Sequence, residues 1–172
     1  MADIDAAREL LRDSFTRLIE LSDDLTDGLT DQVAYYRPSP DANTVTWLLW
    51  HSARMQDAQV CDIAGVDQIW FREGWVDRFD LDLPRDTHGY GQTPEEVAKV
   101  RASPELLGGY YRAVHRATLA YVASVSADEL ERVIDERWTP PVTAGARLVS
   151  IVLDAAQHLG QAAYVRGLVP TS

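Results

Sequence analysis

Cations are scarce in this sequence, and lysine is almost absent from it. Against 27 acidic side chains stand 16 basic ones, leaving a formal net charge of −11. A surface charged in that sense repels a phosphate backbone, so nucleic acid is not an expected partner. Cysteine occurs once, as Cys61. No disulfide can therefore form within the chain, and a reducing, cytoplasmic setting is expected. Long apolar runs are missing too: no stretch reaches the roughly 18 residues that a membrane-spanning helix needs. The opening segment MADIDAAREL is acidic and lacks the basic and apolar pattern of a secretion signal. Nor is there a phosphate-binding glycine loop, a dinucleotide fingerprint or an ordered Ser-His-Asp set. Internal repeats, low-complexity runs and strand-like alternation of useful length are likewise absent.

What is present is 172 residues, 46% hydrophobic and 25% charged, a length that suits one domain over 1–172 with its own core. Ile4, Leu11, Leu18 and Leu25 fall seven apart, and Ala7 and Leu21 fill a second row; together they predict an amphipathic helix over 4–25. Asp27-Gly28 stops it, and Pro38 and Pro40 forbid helix in the linker that follows. Asn43 or Thr44 caps a second helix running to Gly65. That helix is apolar nearly all round, which marks it as central. Residues 66–102 are the least regular, with an aromatic patch (IWFREGWVDRF) and a loop (PRDTHGYGQ); Thr93-Pro94-Glu95-Glu96 reads as a capping box opening a short helix. Ser103-Pro104 begins a third long helix to Val125, and Ser126 to Glu129 caps a brief one. Pro140-Pro141 breaks the chain, and Thr143 caps a last long helix ending at Gly167. The expected fold is all-α: an up-down four-helix bundle with short extra helices in the 66–102 connection.

Four histidines occur, and their placement is informative. On a wheel of about 100° per residue, the last helix gathers Ile151, Ala155, Ala162 and Val165 in one stripe, with His158 among them. Asp154 sits one turn before His158 on the flank, and Gln161 shares that flank. His51 lies in the apolar second helix, between Trp47 and Met55 on its own face. Two imidazoles and one carboxylate can hold a divalent ion and leave positions open for a substrate. The same spacing also describes an Asp154–His158 ion pair within one helix, and a core histidine satisfied by a hydrogen bond. Spacing alone leaves both readings standing. His88 is read as a solvated or lid residue, His115 as a surface residue, the group Trp47, Trp50, Trp70 and Trp75 as packing, and Cys61 as a packed small side chain.

Three segments carry a likeness. TWLLWHSARMQDA, then GYGQTPEEV, and finally DAAQHLGQAAYVRG stand in an order that resembles the DinB-like superfamily of four-helix bundles, over nearly the whole chain. In that superfamily a histidine of the second long helix joins an H-x-x-x-H pair of the last one to bind a metal. Here Asp154 stands where many members have histidine. A carboxylate at that place is similar to the mycothiol-dependent maleylpyruvate isomerases, which use Glu, one methylene longer, and carry a further C-terminal domain. The closer likeness is to the single-domain thiol S-transferases.

The resemblance implies a divalent metal, zinc before nickel or iron, on His51, Asp154 and His158. It also implies a low-molecular-weight thiol whose sulfur attacks an electrophilic small molecule. Of the 16 basic residues 15 are arginine, and asparagine occurs once. That bias suits a GC-rich, actinobacterial host and names mycothiol as the thiol. Gln161 then stands beside the ligands as a donor or acceptor, and Arg54, one turn from His51, meets an anionic group or forms a surface salt bridge. Two rival functions remain at this point: a metal-dependent hydrolase built on the same ligands, and a non-enzymatic stress protein, metal-binding or metal-vacant, that works by dimerising, with the IWFREGW patch as a contact of the homodimer.

Overall fold

The computed structural model describes residues 2–170. Four long helices dominate them: α1 (Ala2–Thr26), α3 (Val45–Ala64), α7 (Pro104–Ser124) and α9 (Ala144–Gly167). Short ones fill the connections: α2 (Asp31–Ala34), α4 (Ile69–Arg72), α5 (Trp75–Phe79), α6 (Pro94–Lys99) and α8 (Ala127–Glu131). The caps read from the sequence are in place. The side chains of Thr44, Ser103, Ser126 and Thr143 each accept from a backbone N–H in the first turn, and Thr93 with Glu96 closes the reciprocal capping box. Gly65 ends α3 in the left-handed conformation, φ 67°.

The all-α bundle expected from the periodicity is present. The long helices pack α1 on α7, α7 on α3, α3 on α9 and α9 on α1. Side-chain contacts give their directions. Arg8 near the start of α1 bonds Val125 after the end of α7, so these two are antiparallel. Arg166 near the end of α9 bonds carbonyls at the end of α1, so those run parallel. Arg54 and Gln56 of α3 bond Tyr110 and Thr118 of α7 in the same order, and α9 returns against α3. The sense is up, down, down, up. The connection between α3 and α7, with its three short helices, is long enough to bring the chain back to the end from which α3 set out.

Burial follows the predicted faces with two exceptions. In α1 the core face is Phe15, Leu18, Ile19 and Leu25, and Leu21 is 44% exposed. In α9 the buried row is Leu148, Ile151, Ala155, Leu159, Ala162 and Val165, so His158 lies beside the stripe and not at its centre. Short strands also form where none was expected. β1 (Val133–Asp135) pairs antiparallel with β2 (Val142–Thr143), and segments this brief are too short to show a two-residue period.

The aromatic patch is core. Asp57, buried in α3, accepts from the backbone N–H groups of Ile69 and Trp70 at 2.8 Å each, which docks the start of α4. Ile69, Trp70, Trp75, Val76 and Phe79 are then buried against Tyr110 and their neighbours. Within the IWFREGW segment both tryptophans are consumed by the chain's own packing, and Phe71 stays 41% exposed.

Candidate metal centre

His51 and Trp47 are one turn apart on α3, and their rings stack with centroids 4.5 Å apart and planes 14° from parallel. Trp47 is held in turn by its indole N–H, which donates to the Gln92 side-chain oxygen at 2.7 Å. Across the groove, α9 presents Asp154 and His158 at the helical spacing that puts them on one side. The His158 ring meets that of His51 edge-on at 4.8 Å. His158 Nε2 faces Asp154 Oδ1 at 3.5 Å. One donor atom from each of His51, Asp154 and His158 lies within 4.8 Å of the other two. The structure thus brings together the three residues singled out by spacing.

The outer nitrogens of both rings are occupied. His51 Nδ1 lies 2.5 Å from the carbonyl oxygen of His88. A carbonyl only accepts, so this contact places the proton on Nδ1 and leaves the lone pair on Nε2. His158 Nδ1 lies 3.2 Å from Gln161 Oε1, which likewise accepts and turns His158 Nε2 toward Asp154. Metal-binding histidines are held in this manner, one ring nitrogen tied to an oxygen and the other left free. The donor set suits a divalent ion: bonds of about 2.0–2.1 Å in a tetrahedron put donors about 3.4 Å apart. The Asp154–His158 separation of 3.5 Å already matches, and the His51 donor lies within 4.8 Å of both.

Proton affinities follow from these surroundings. Burial, the dominant cause, holds the His51 imidazole down at about 4, against the opposing pull of the His88 carbonyl. Asp154 is lowered, first by its contact with His158, and that contact in turn raises His158. At neutral pH His51 is accordingly neutral and Asp154 anionic, the forms in which both can donate to a metal.

These groups open into a cavity of about 500 Å³, lined also by Met55 and Gln59 of α3, Ser150 of α9 and the loop Gly89-Tyr90-Gly91. Gly89 has φ +100°, and a Cβ there would come within 2.5 Å of His51 Nδ1. The loop backbone therefore lies directly on the ring. Trp47, Gly89, Met55, Gln59 and Ser150 were not singled out as site residues from the sequence. For the helical ones the available signal was the turn-by-turn spacing from His51 and Asp154.

Other expectations need correction. Arg54 neither faces this cavity nor forms a surface salt bridge. It is fully buried and bonds the Thr87 carbonyl, the Gln68 side-chain oxygen and the Tyr110 hydroxyl. His88 contributes its backbone carbonyl, while its ring nitrogen accepts from the Tyr90 N–H at 3.4 Å. His115 is half-buried and not a surface residue, and burial lowers its proton affinity. Cys61 is buried as expected.

No helix among the described residues is long and apolar enough to cross a membrane. A family model described as mycothiol-S-transferase matches residues 10–170. Among solved structures, the crystal structure of a conserved protein from Enterococcus faecalis is similar to this chain with a TM-score of 0.87 and 40% sequence identity, covering 94% of this chain and 95% of that one. A comparison with curated proteins gives no match.

Proposed function

The chain belongs to the mycothiol-S-transferase family, and on that premise we propose that it joins a low-molecular-weight thiol, mycothiol, to an electrophilic small molecule at a divalent-metal site formed by His51, Asp154 and His158. The observation that carries this reading is the convergence of three donors from two helices in an open cavity, with both outer ring nitrogens already tied to oxygens. Zinc is the expected ion, with nickel and iron as substitutes. When bound there, such an ion lowers the pKa of a thiol and stabilises the thiolate, the nucleophilic form.

The remaining work belongs to the chain. Gln161 and the His88 carbonyl hold the two imidazoles in the tautomers that the site needs. Trp47 and Met55 supply an apolar wall that restricts water. Gln59, two turns beyond His51, and Ser150, one turn before Asp154, offer neutral donors and acceptors suited to the hydroxyls of the thiol's sugar portion. In the transfer the sulfur's electron pair forms the S–C bond. The thiol proton leaves to solvent, and either a leaving group departs with its bonding pair or, at an activated double bond, a proton adds to the adjacent carbon. A cell's free thiols are kept in its reducing compartment, which makes the cytoplasm the place of action.

A homodimer would use the outer face of α9. None of the exposed residues of that helix is charged, and Val149, Leu153 and Tyr164 stand out from it. In a chain of net charge −11, two copies repel least where both are uncharged. Ala156 and Gly160 on the same face let two such helices approach closely.

The test is conjugation of a bimane-type electrophile. It should run faster with mycothiol than with glutathione or cysteine, and a chelator should slow it. Cleavage of an ester without any thiol, with no conjugation, would move the function to the hydrolase class. Neither reaction with metal bound would leave a binding protein.

A further inference from the structure

Residues 85–92 form a strap across one side of α3, sewn down by four hydrogen bonds. Trp70 Nε1 donates to the Arg85 carbonyl at 2.8 Å, Arg54 Nε to the Thr87 carbonyl at 3.1 Å, His51 Nδ1 to the His88 carbonyl at 2.5 Å, and Trp47 Nε1 to Gln92 Oε1 at 2.7 Å. Three of the donors, Trp47, His51 and Arg54, come from successive turns of one helix. The tethers at Thr87 and His88 act on consecutive carbonyls.

Arg54 is the costly member of this set. Its side chain is wholly excluded from solvent, a strongly unfavourable setting for a guanidinium, which a leucine or methionine would avoid. The cation is compensated by Asp57 at 3.5 Å, by the Gln68 side-chain oxygen and the Tyr110 hydroxyl, and by the face of Trp70 at 4.6 Å. What the planar fork adds over an apolar residue is reach in several fixed directions at once. One of those directions is the strap, one residue before the carbonyl that selects the His51 tautomer.

We propose that Arg54 is a positioning residue for the ligand set: by holding Thr87 it fixes the His88 carbonyl, and through it the tautomer and orientation of the His51 ring. The proposal rests on the reading of His51 as a ligand, but its decisive measurement needs no metal.

That measurement is the nitrogen-15 imidazole spectrum of the metal-free protein. In the wild type His51 should be the Nδ1–H tautomer. Arg54→Met keeps much of the buried volume and cannot bond Thr87; its His51 should populate both tautomers, and its zinc affinity should fall about 10-fold or more. Tyr110→Phe removes a hydroxyl that touches both Arg54 and Asp57 while sparing the Thr87 tether, so it should lower Tm and leave the tautomer alone. If Arg54→Met lowers Tm without changing the tautomer, the role is structural and the proposal is overturned. Should Arg54→Met fail to fold, Arg54→Lys decides. It keeps the charge opposite Asp57 but loses the fork, so tautomer mixing is again expected and an unchanged His51 spectrum overturns the proposal. Absence of zinc binding in the wild type would instead sink the ligand assignment, with the tautomer result still standing by itself.

Discussion

Gln161 follows His158 by one turn of α9, and its amide oxygen meets His158 Nδ1 at 3.2 Å while Asp154, one turn the other way, meets Nε2 at 3.5 Å. A single helix thus carries two of the three proposed ligands and a group that orients one of them. The three contributions can be separated by substitution.

His158→Ala should abolish uptake of one divalent ion per chain and preserve helical content, measured by metal analysis and circular dichroism. Asp154→Asn should weaken binding about 10-fold or more, Gln161→Ala by about 10-fold, and Asp154→His should preserve it. Equal affinity in the wild type and both Asp154 variants would make Asp154 only an ion-pair partner of His158.

Gly89→Ala tests how closely the strap lies on the site. The added methyl meets His51 Nδ1 at 2.5 Å, and φ +100° is strained for any residue with a Cβ. A loss of about 1–3 kcal/mol in urea unfolding is expected. Zinc affinity should fall as well, because the His88 carbonyl must move. A variant with unaltered stability would mean that the strap yields freely.

Cys61 should be silent in native protein. Burial, reinforced by the Asp57 carboxylate that accepts from its thiol, pushes it up to about 12. At pH 8 the group lies well below that value and remains a neutral thiol, which is not the nucleophilic form. An aromatic disulfide reagent should therefore titrate no thiol before urea is added and one per chain afterwards. Fast reaction in the folded state would contradict the buried setting and would complicate every thiol assay on this protein.

Leu153→Glu addresses the outer face of α9. If copies pair there, the variant should be monomeric by light scattering at concentrations where the wild type is a dimer, with zinc binding intact. Ala156→Cys should cross-link to itself on oxidation, since the native thiol is out of reach. A wild type that stays monomeric removes the dimer.

The placement of the candidate ligands was legible because helical spacing is enough to put Asp154 and His158 on one side of α9 and His51 on a line with Trp47 and Met55, while their joint reading as a site came from the family likeness. A wheel gives direction, however, and not what covers it. Arg54 shares nearly the same direction as His51, yet its partners Thr87 and Tyr110 come from segments 33 and 56 residues away. Without them its burial had no visible compensation. The packing role of Trp70 and Trp75 is legible in the sequence, but their anchor is not: it is Asp57, an acidic residue in the preceding helix whose acceptors are filled by backbone donors. A wheel puts His158 within the apolar stripe of α9, whereas in the bundle its neighbour Leu159 takes the buried position. Leu21 failed in the opposite sense, as the row of α1 shifts toward Phe15 and Ile19.

The four tethers of residues 85–92 bear on how a ligand enters. A mouth framed by a strap that is bonded near both ends and at two points between is already in shape before anything arrives. The conformational entropy of ordering it is lost during folding and not at encounter, which favours affinity. Amide exchange at residues near the tethered carbonyls should differ little between free and liganded protein, and association should show no slow closing phase. Within the strap it is Tyr90, 82% exposed between two glycines, that is left to adapt to the shape of what comes in.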